Sequence, residues 1–155
     1  MNMKAVSASI FAAASLFAIA ARAADSPTLS EPVKSVYNHY LKIQGELARD
    51  SLTGVEEQAN AIAKEVRGDD LKRFPAVLAK QAETLAKARG LAAVRQAFKP
   101  LSDSLIKYLA DIKVPKGTYY EVYCPMADAS WLQANKDVKN PYMGKAMPSC
   151  GIIKD

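Results

Sequence analysis

The chain has 155 residues, of which 21 are Lys or Arg and 16 are Asp or Glu, giving a formal charge of +5. This length fits one domain, and a hydrophobic share of 50% with 24% charged residues excludes a chain that is disordered throughout. The two Cys residues exclude a dense disulfide scaffold and a four-cysteine zinc site, and the single His argues against most zinc, non-haem iron and Ser-His-Asp chemistry.

Residues 1–23 have the features of a signal peptide. One positive charge at Lys4 precedes an apolar stretch from Ala5 to Ala21, and Ala21-Arg22-Ala23 matches a signal-peptidase site. The stretch is also about as long as a short membrane span, so a retained anchor is the alternative. We predict cleavage after Ala23, export to the periplasm, and no membrane insertion of the mature chain.

The mature chain is expected to begin with a flexible leader at residues 24–30 and to continue as one helical domain over residues 31–155. Removal of Lys4 and Arg22 leaves 19 basic and 16 acidic residues, and the basic residues are spread among the acidic ones. Because no basic block remains, the charge pattern argues against a nucleic-acid partner.

Four amphipathic stretches follow the leader. Ser30 and Pro32 suit the start of the first, Thr53 suits a capping box before the second, and Asp69 or Asp70 can cap the third. The apolar positions at helical spacing are Val33, Val36, Tyr37, Tyr40, Leu41 and Leu47; Val55, Ala59, Ile62, Ala63 and Val66; Leu71, Phe74, Val77, Leu78 and Leu85; and Leu91, Val94, Phe98, Leu101, Leu105, Tyr108, Leu109 and Ile112. The pattern predicts an all-α fold, an up-and-down four-helix bundle with an irregular Cys/Met-rich tail (residues 118–151) packed on it.

The tail contains all the sulfur of the predicted mature chain. Residues 118–123 are rich in aromatic and β-favouring residues and are expected to be extended. Five sulfur-bearing residues then follow within 27 positions: Cys124, Met126, Met143, Met147 and Cys150. Thiolate and thioether ligands select soft ions such as Cu(I) or Ag(I). This concentration of sulfur therefore indicates a candidate metal site.

The two cysteines also have a purely structural explanation. In an oxidising compartment, Cys124 and Cys150 can form a disulfide that staples the tail, worth roughly 3 kcal/mol in the chain-entropy model. Methionines beside aromatic residues are common core filler. The lack of C-x-x-C spacing argues against a thioredoxin-like centre. Spacing alone leaves the disulfide and the metal site both open.

The tail motifs resemble those of an uncharacterised bacterial domain family. They are Cys124-Pro125-Met126-Ala127, Trp131-Leu132, Asn140-Pro141-Tyr142, Gly144, Met147 and Cys150-Gly151. Proteins of that family occur as small exported chains and fused to periplasmic adaptor subunits of copper/silver efflux pumps. The resemblance implies heavy-metal handling in the envelope, with Cys124, Met126, Met147 and Cys150 as the ligand set and Met143 as an optional fifth ligand. It implies that Trp131, Asn140, Tyr142 and Gly144 shape the loop instead of binding the ion.

Two functions follow as expectations. The first is an exported Cu(I)- or Ag(I)-binding protein, a sink or carrier that passes metal to a periplasmic efflux adaptor or another metal-handling protein. The second is a periplasmic interaction module that is stapled by a Cys124–Cys150 disulfide and holds no metal. One His and no convincing acid–base pair argue against an enzyme. The sequence assigns no role to His39.

Overall fold

The computed structural model describes residues 29–154, so the predicted signal peptide and most of the predicted leader lie outside the described residues. Leu29, at the end of that leader, is already buried in the core. The helices are α1 (Val33–Ala48), α2 (Val55–Arg67), α3 (Ala76–Lys87) and α4 (Leu91–Asp111). The strands are β1 (Tyr120–Cys124), β2 (Ala129–Gln133) and β3 (Ile152–Lys154), and a single 3-10 turn covers Gly144–Ala146.

The four predicted helices are confirmed, and each packs on the next one along the chain. The apolar stripe predicted for α2 is buried at all five positions. In α4 the buried positions include Val94, Phe98, Leu101 and Leu105. These helices form because apolar side chains recur at i, i+3 and i+4, so that one face of each helix leaves water.

The third helix begins later than its apolar pattern indicates. The Asp69 carboxylate does not cap it but accepts hydrogen bonds from the backbone N–H of Arg73 and from that of Phe74, the latter at 3.2 Å. These bonds hold the preceding segment as a loop, and the helix starts after Pro75. Leu71, which was predicted to lie in the apolar stripe, is therefore 75% exposed.

The tail is only partly irregular, because it contains two strands, and the all-α prediction is wrong in this respect. The strands form an antiparallel sheet in the order β2-β1-β3. Residues 125–128 form the turn between β1 and β2, where the Asp128 amide donates to the Pro125 carbonyl at 3.3 Å. Of the extended segment predicted at residues 118–123, residues 120–123 lie in β1. The chain is thus mainly helical, with a small sheet near its C-terminal end.

Strand β2 lies against both α1 and α4, and buried hydroxyl groups join these three elements. The Tyr40 hydroxyl on α1 accepts from the Leu132 amide at 3.1 Å and lies 2.8 Å from the Ser102 hydroxyl on α4. The Tyr142 hydroxyl lies 3.2 Å from Ser102 and 2.9 Å from the Ser130 carbonyl oxygen.

The hydroxyl protons can be arranged along this chain of hydrogen bonds in one way. A carbonyl can only accept, so the single proton of the Tyr142 phenol goes to Ser130. Ser102 must then donate to Tyr142, and Tyr40 must donate to Ser102. The chain of hydrogen bonds therefore begins at the Leu132 amide and ends at the Ser130 carbonyl, both on β2. Burial and, second, the nearby Tyr142 raise the pKa of Tyr40, which keeps its phenol protonated.

Within residues 29–154, none of the helices combines the length and the apolar character that crossing a membrane requires.

Replacing Ser102, which is fully buried, with Ala should lower the free energy of unfolding by about 1–3 kcal/mol, because two tyrosine hydroxyls lose a partner in the core. The matched control is Ser104→Ala in the same helix, where Ser104 is only half-buried. It should be neutral or slightly stabilising, since Ala is the better helix former. Urea denaturation measures both, and equal effects would contradict the role given to the hydroxyl chain.

Candidate functional site

The sheet brings the two cysteines together. Cys124 is the last residue of β1, and Cys150 comes two residues before β3, which pairs with β1. Their Cα atoms lie 5.7 Å apart, and the two residues form a disulfide across a sequence separation of 26. Cys124 is fully buried, whereas Cys150 is partly exposed. Half of the predicted ligand set is therefore adjacent in space, in the oxidised form.

Two of the methionines line one open groove between α4 and the tail. Met126 lies in the β1–β2 turn and is 66% exposed, and Met143 is partly buried against the core. We call this surface the Met groove; its lining residues are Leu91, Ala92, Arg95, Gln96, Lys99, Met126, Ala127, Tyr142 and Met143.

Met147 does not line the Met groove, although it precedes Cys150 by only three residues in the sequence. Its carbonyl accepts the Cys150 amide at 3.2 Å, and its side chain is 37% exposed. The intervening 3-10 turn is only three residues long. Met143, Met147 and Cys150 therefore do not lie on one face of an α-helix. The structure groups the sulfur into a cysteine pair, a methionine pair and Met147.

Asn140 organises the loop that carries Met143 and leads to Cys150. Its side chain is fully buried. The amide nitrogen donates to the Cys150 carbonyl at 2.6 Å, and the amide oxygen accepts from the backbone N–H groups of Tyr142 at 2.8 Å and Met143 at 2.9 Å. Its own backbone N–H donates to the Pro148 carbonyl at 2.8 Å. One side chain thus fixes both ends of the loop beside the disulfide.

Arg95 on α4 fastens this loop to the helices. Its Nε donates to the Pro141 carbonyl at 2.7 Å, and its Nη2 donates to the Leu47 carbonyl at 2.9 Å and to the Asp50 carboxylate at 2.5 Å. The hydrogen bond from Arg95, followed by that from the Lys145 amide, lowers the pKa of Asp50. Asp50 is therefore charged at neutral pH and holds the cation in place.

Gly144 is required where the loop passes the Asp50–Arg95 pair. It adopts φ +53°, and a Cβ atom there would lie 1.8 Å from Asp50 Oδ1 and 2.3 Å from Arg95 Nη2. Gly151 is close-packed in the same way, because an added Cβ would lie 2.6 Å from Val122 and 2.7 Å from Trp131. The glycines of the tail motifs thus permit close approach of the loop to its supports.

The charge around the Met groove is positive. Lys99 donates to the Ala127 carbonyl at 2.7 Å and lies 5.8 Å from the Tyr142 ring centre. Arg95 and Lys99 line the groove, and its lining includes no carboxylate. Asp50 compensates the charge of Arg95, so Lys99 is the lining cation that disfavours a further positive ion in the groove. The methionine pair is therefore a poorer place for Cu(I) or Ag(I) than the cysteine pair.

Conventional metal ligands do not assemble elsewhere in the described part of the chain. His39 lies between α1 and α2, with Nδ1 2.7 Å from Gln58 Oε1 and Nε2 3.3 Å from Glu65 Oε1. No group of three His, Cys, Asp or Glu side chains among residues 29–154 could hold an ion. The candidate metal donors in the described part of the chain are therefore sulfur atoms, and these lie in the tail.

Several residues that build this site could not be recognised as site residues from the sequence. Ser102 and Gln44 are buried polar residues on otherwise apolar helix faces, and the Gln44 amide donates to the Lys139 carbonyl at 2.6 Å. Arg95 sits beside an apolar stripe, where a charged residue normally indicates a solvated face. Their partners are 40 or more residues away, so only the tertiary structure identifies them.

Replacing Asn140 with Ala should destabilise the protein by about 2–4 kcal/mol, because the Cys150 carbonyl and two backbone N–H groups lose their partner. Asn135→Ala is the matched control, since Asn135 accepts from a backbone N–H two residues on in the same way, but in an exposed loop. Its effect should stay below about 1 kcal/mol. Chemical denaturation under oxidising conditions measures both, and a small effect at Asn140 would contradict its organising role.

Comparison with known proteins places the chain in a family. The model of a protein family of unknown function (DUF3347) matches residues 36–117, from within α1 to the loop before β1. The match ends before the Cys/Met-rich tail. A search of curated proteins found no match, and neither did a search of solved structures. Since the matched region covers more than half of the chain, the protein belongs to this family of unknown function.

Proposed function

We propose that the chain is an exported protein that binds Cu(I) or Ag(I) through Cys124 and Cys150 when both thiols are reduced. The observation that carries the proposal is the closeness of the two cysteines, whose Cα atoms are 5.7 Å apart. Each cysteine also has a methionine within three residues, Met126 and Met147, and both methionine side chains reach solvent. This donor set suits a soft monovalent ion.

Binding depends on the redox state of the pair. Reduction of the disulfide takes up two electrons and two protons and yields two thiols, and an external dithiol supplies them by exchange and becomes a disulfide itself. The thiols lose their protons when they ligate the ion. In the oxidised form neither sulfur is a thiolate, so the site is closed to metal.

The cellular role that we propose is a sink or carrier in the envelope. Export is supported by the signal-peptide features of residues 1–23. A carrier of this kind passes its ion to a second metal-handling protein, such as a periplasmic efflux adaptor. Neither catalysis nor nucleic-acid binding is part of the proposal, and we propose no membrane insertion after the signal is removed.

The test is a Cu(I) titration of the reduced chain, residues 24–155, against a chromophoric chelator. We expect one ion per chain with a sub-nanomolar Kd, equivalent to more than about 12 kcal/mol. Oxidised protein and the variant Cys124→Ser/Cys150→Ser should both fail to compete. The variants Met126→Leu and Met147→Leu conserve volume and should weaken binding without abolishing it, whereas Met143→Leu should have little effect.

A second function is favoured by a different observation, the exposed Met groove beside the intact disulfide. In this alternative the disulfide is a permanent staple, and the tail is the surface of a periplasmic interaction module. The same titration separates the two functions. If the reduced chain does not compete for Cu(I) and reduction only lowers the melting temperature, the metal-binding proposal is wrong and the stapled module is the better account.

A further inference from the structure

A second cavity lies at the opposite end of β1 from the disulfide. Three separate parts of the chain build it: the loop after α4 together with the beginning of β1, Lys136 from the loop after β2, and the end of β3. Its volume is about 430 Å³, which falls within the usual range for small-molecule sites.

The lining of this cavity is positively charged. Lys116, Lys136 and Lys154 come from distant positions in the sequence and meet here, with Glu121 as the one carboxylate among the lining residues. Glu121 is paired with Lys154 at 2.6 Å. Within residues 29–154, neither Lys116 nor Lys136 forms an ion pair. Two lysine charges are therefore available to an anion.

The walls of the cavity are aromatic and apolar. Tyr119 and Tyr120 line it together with Ile153, and Lys136 lies 5.8 Å from the centre of the Tyr120 ring. Burial and, second, the Glu121 carboxylate raise the pKa of Tyr119. Its phenol is therefore protonated at neutral pH and can act as a hydrogen-bond donor.

We propose that this cavity binds a small organic anion with a flat apolar body, of the aromatic carboxylate class. The carboxylate lies against Lys116 and Lys136, and the ring packs on the tyrosines and Ile153. The chemistry of the site requires both parts of the ligand, because the lysines select charge and the walls select apolar surface. This site is independent of the sulfur site and does not rest on the function proposed above.

The test is a titration of the isotope-labelled oxidised chain with naphthalene-2-carboxylate, followed by NMR at the backbone amides. We expect the shifts to concentrate at residues 116–121, 136 and 153–154. The uncharged naphthalene-2-methanol and the ring-free acetate should each bind at least about tenfold more weakly, because each lacks one of the two contacts.

Variants identify the groups responsible. Lys116→Gln/Lys136→Gln should weaken naphthalene-2-carboxylate binding by about tenfold or more while leaving the melting temperature unchanged. The control Lys42→Gln/Lys80→Gln removes the same charge from exposed positions on α1 and α3 and should bind as the parent chain does. Equal affinity in the two double variants, tight binding of the alcohol, or shifts confined to the Met groove would each overturn the proposal.

Discussion

The position of the sheet depends on a run of hydrogen bonds that begins and ends on β2. Tyr40, Ser102 and Tyr142 contribute one hydroxyl each, from α1, α4 and the tail, and all three side chains are buried. Because β2 contacts both helices, this run fixes the helices relative to each other as well as to the strand. Aromatic rings pack in the same region. The ring centres of Tyr40 and Phe98 are stacked 4.9 Å apart, and those of Phe98 and Tyr142 are 5.9 Å apart. Without a partner, each hydroxyl would cost free energy in the core.

The tail loop follows from that position. Tyr142 joins the hydroxyl chain two residues after Asn140, and the Asn140 side chain holds the backbone there by accepting from two successive backbone N–H groups. Its third hydrogen bond, to the Cys150 carbonyl, places the second cysteine beside the end of β1. Arg95 donates to the Pro141 carbonyl and so fixes the loop to α4. The disulfide is therefore one of several constraints that bring the cysteines together.

The helices could be predicted from sequence because burial of one helix face requires apolar residues at helical spacing. That spacing is visible in a single sequence. The start of α3 could not be predicted, since the Asp69 carboxylate bonds to local backbone N–H groups in place of capping a helix. The sheet was missed for another reason. Strand β2 is buried on both faces, with Trp131, Leu132 and Gln133 all inside, so it lacks the alternation that marks a half-buried strand. Strand β3 has only three residues.

The site was partly predictable. The sulfur-rich residues are visible in one chain, and Cys124 and Cys150 were correctly expected to be able to form a disulfide. Their supports could not be predicted, because Ser102, Arg95 and Gln44 act through partners that are distant in sequence. The use of the cysteines as metal ligands stays a proposal, and it depends on the pair remaining adjacent when the covalent bond is gone.

The most direct test of that claim is amide hydrogen exchange of the reduced chain, compared with the oxidised chain. If the fold holds the cysteines together, amides at residues 121–123 and 152–154 and those of Tyr142 and Met143 keep their protection after reduction, with changes limited to the neighbours of the two sulfurs. If the bond itself creates the arrangement, these amides lose protection on reduction while α2 and α3 do not. That result would contradict the account.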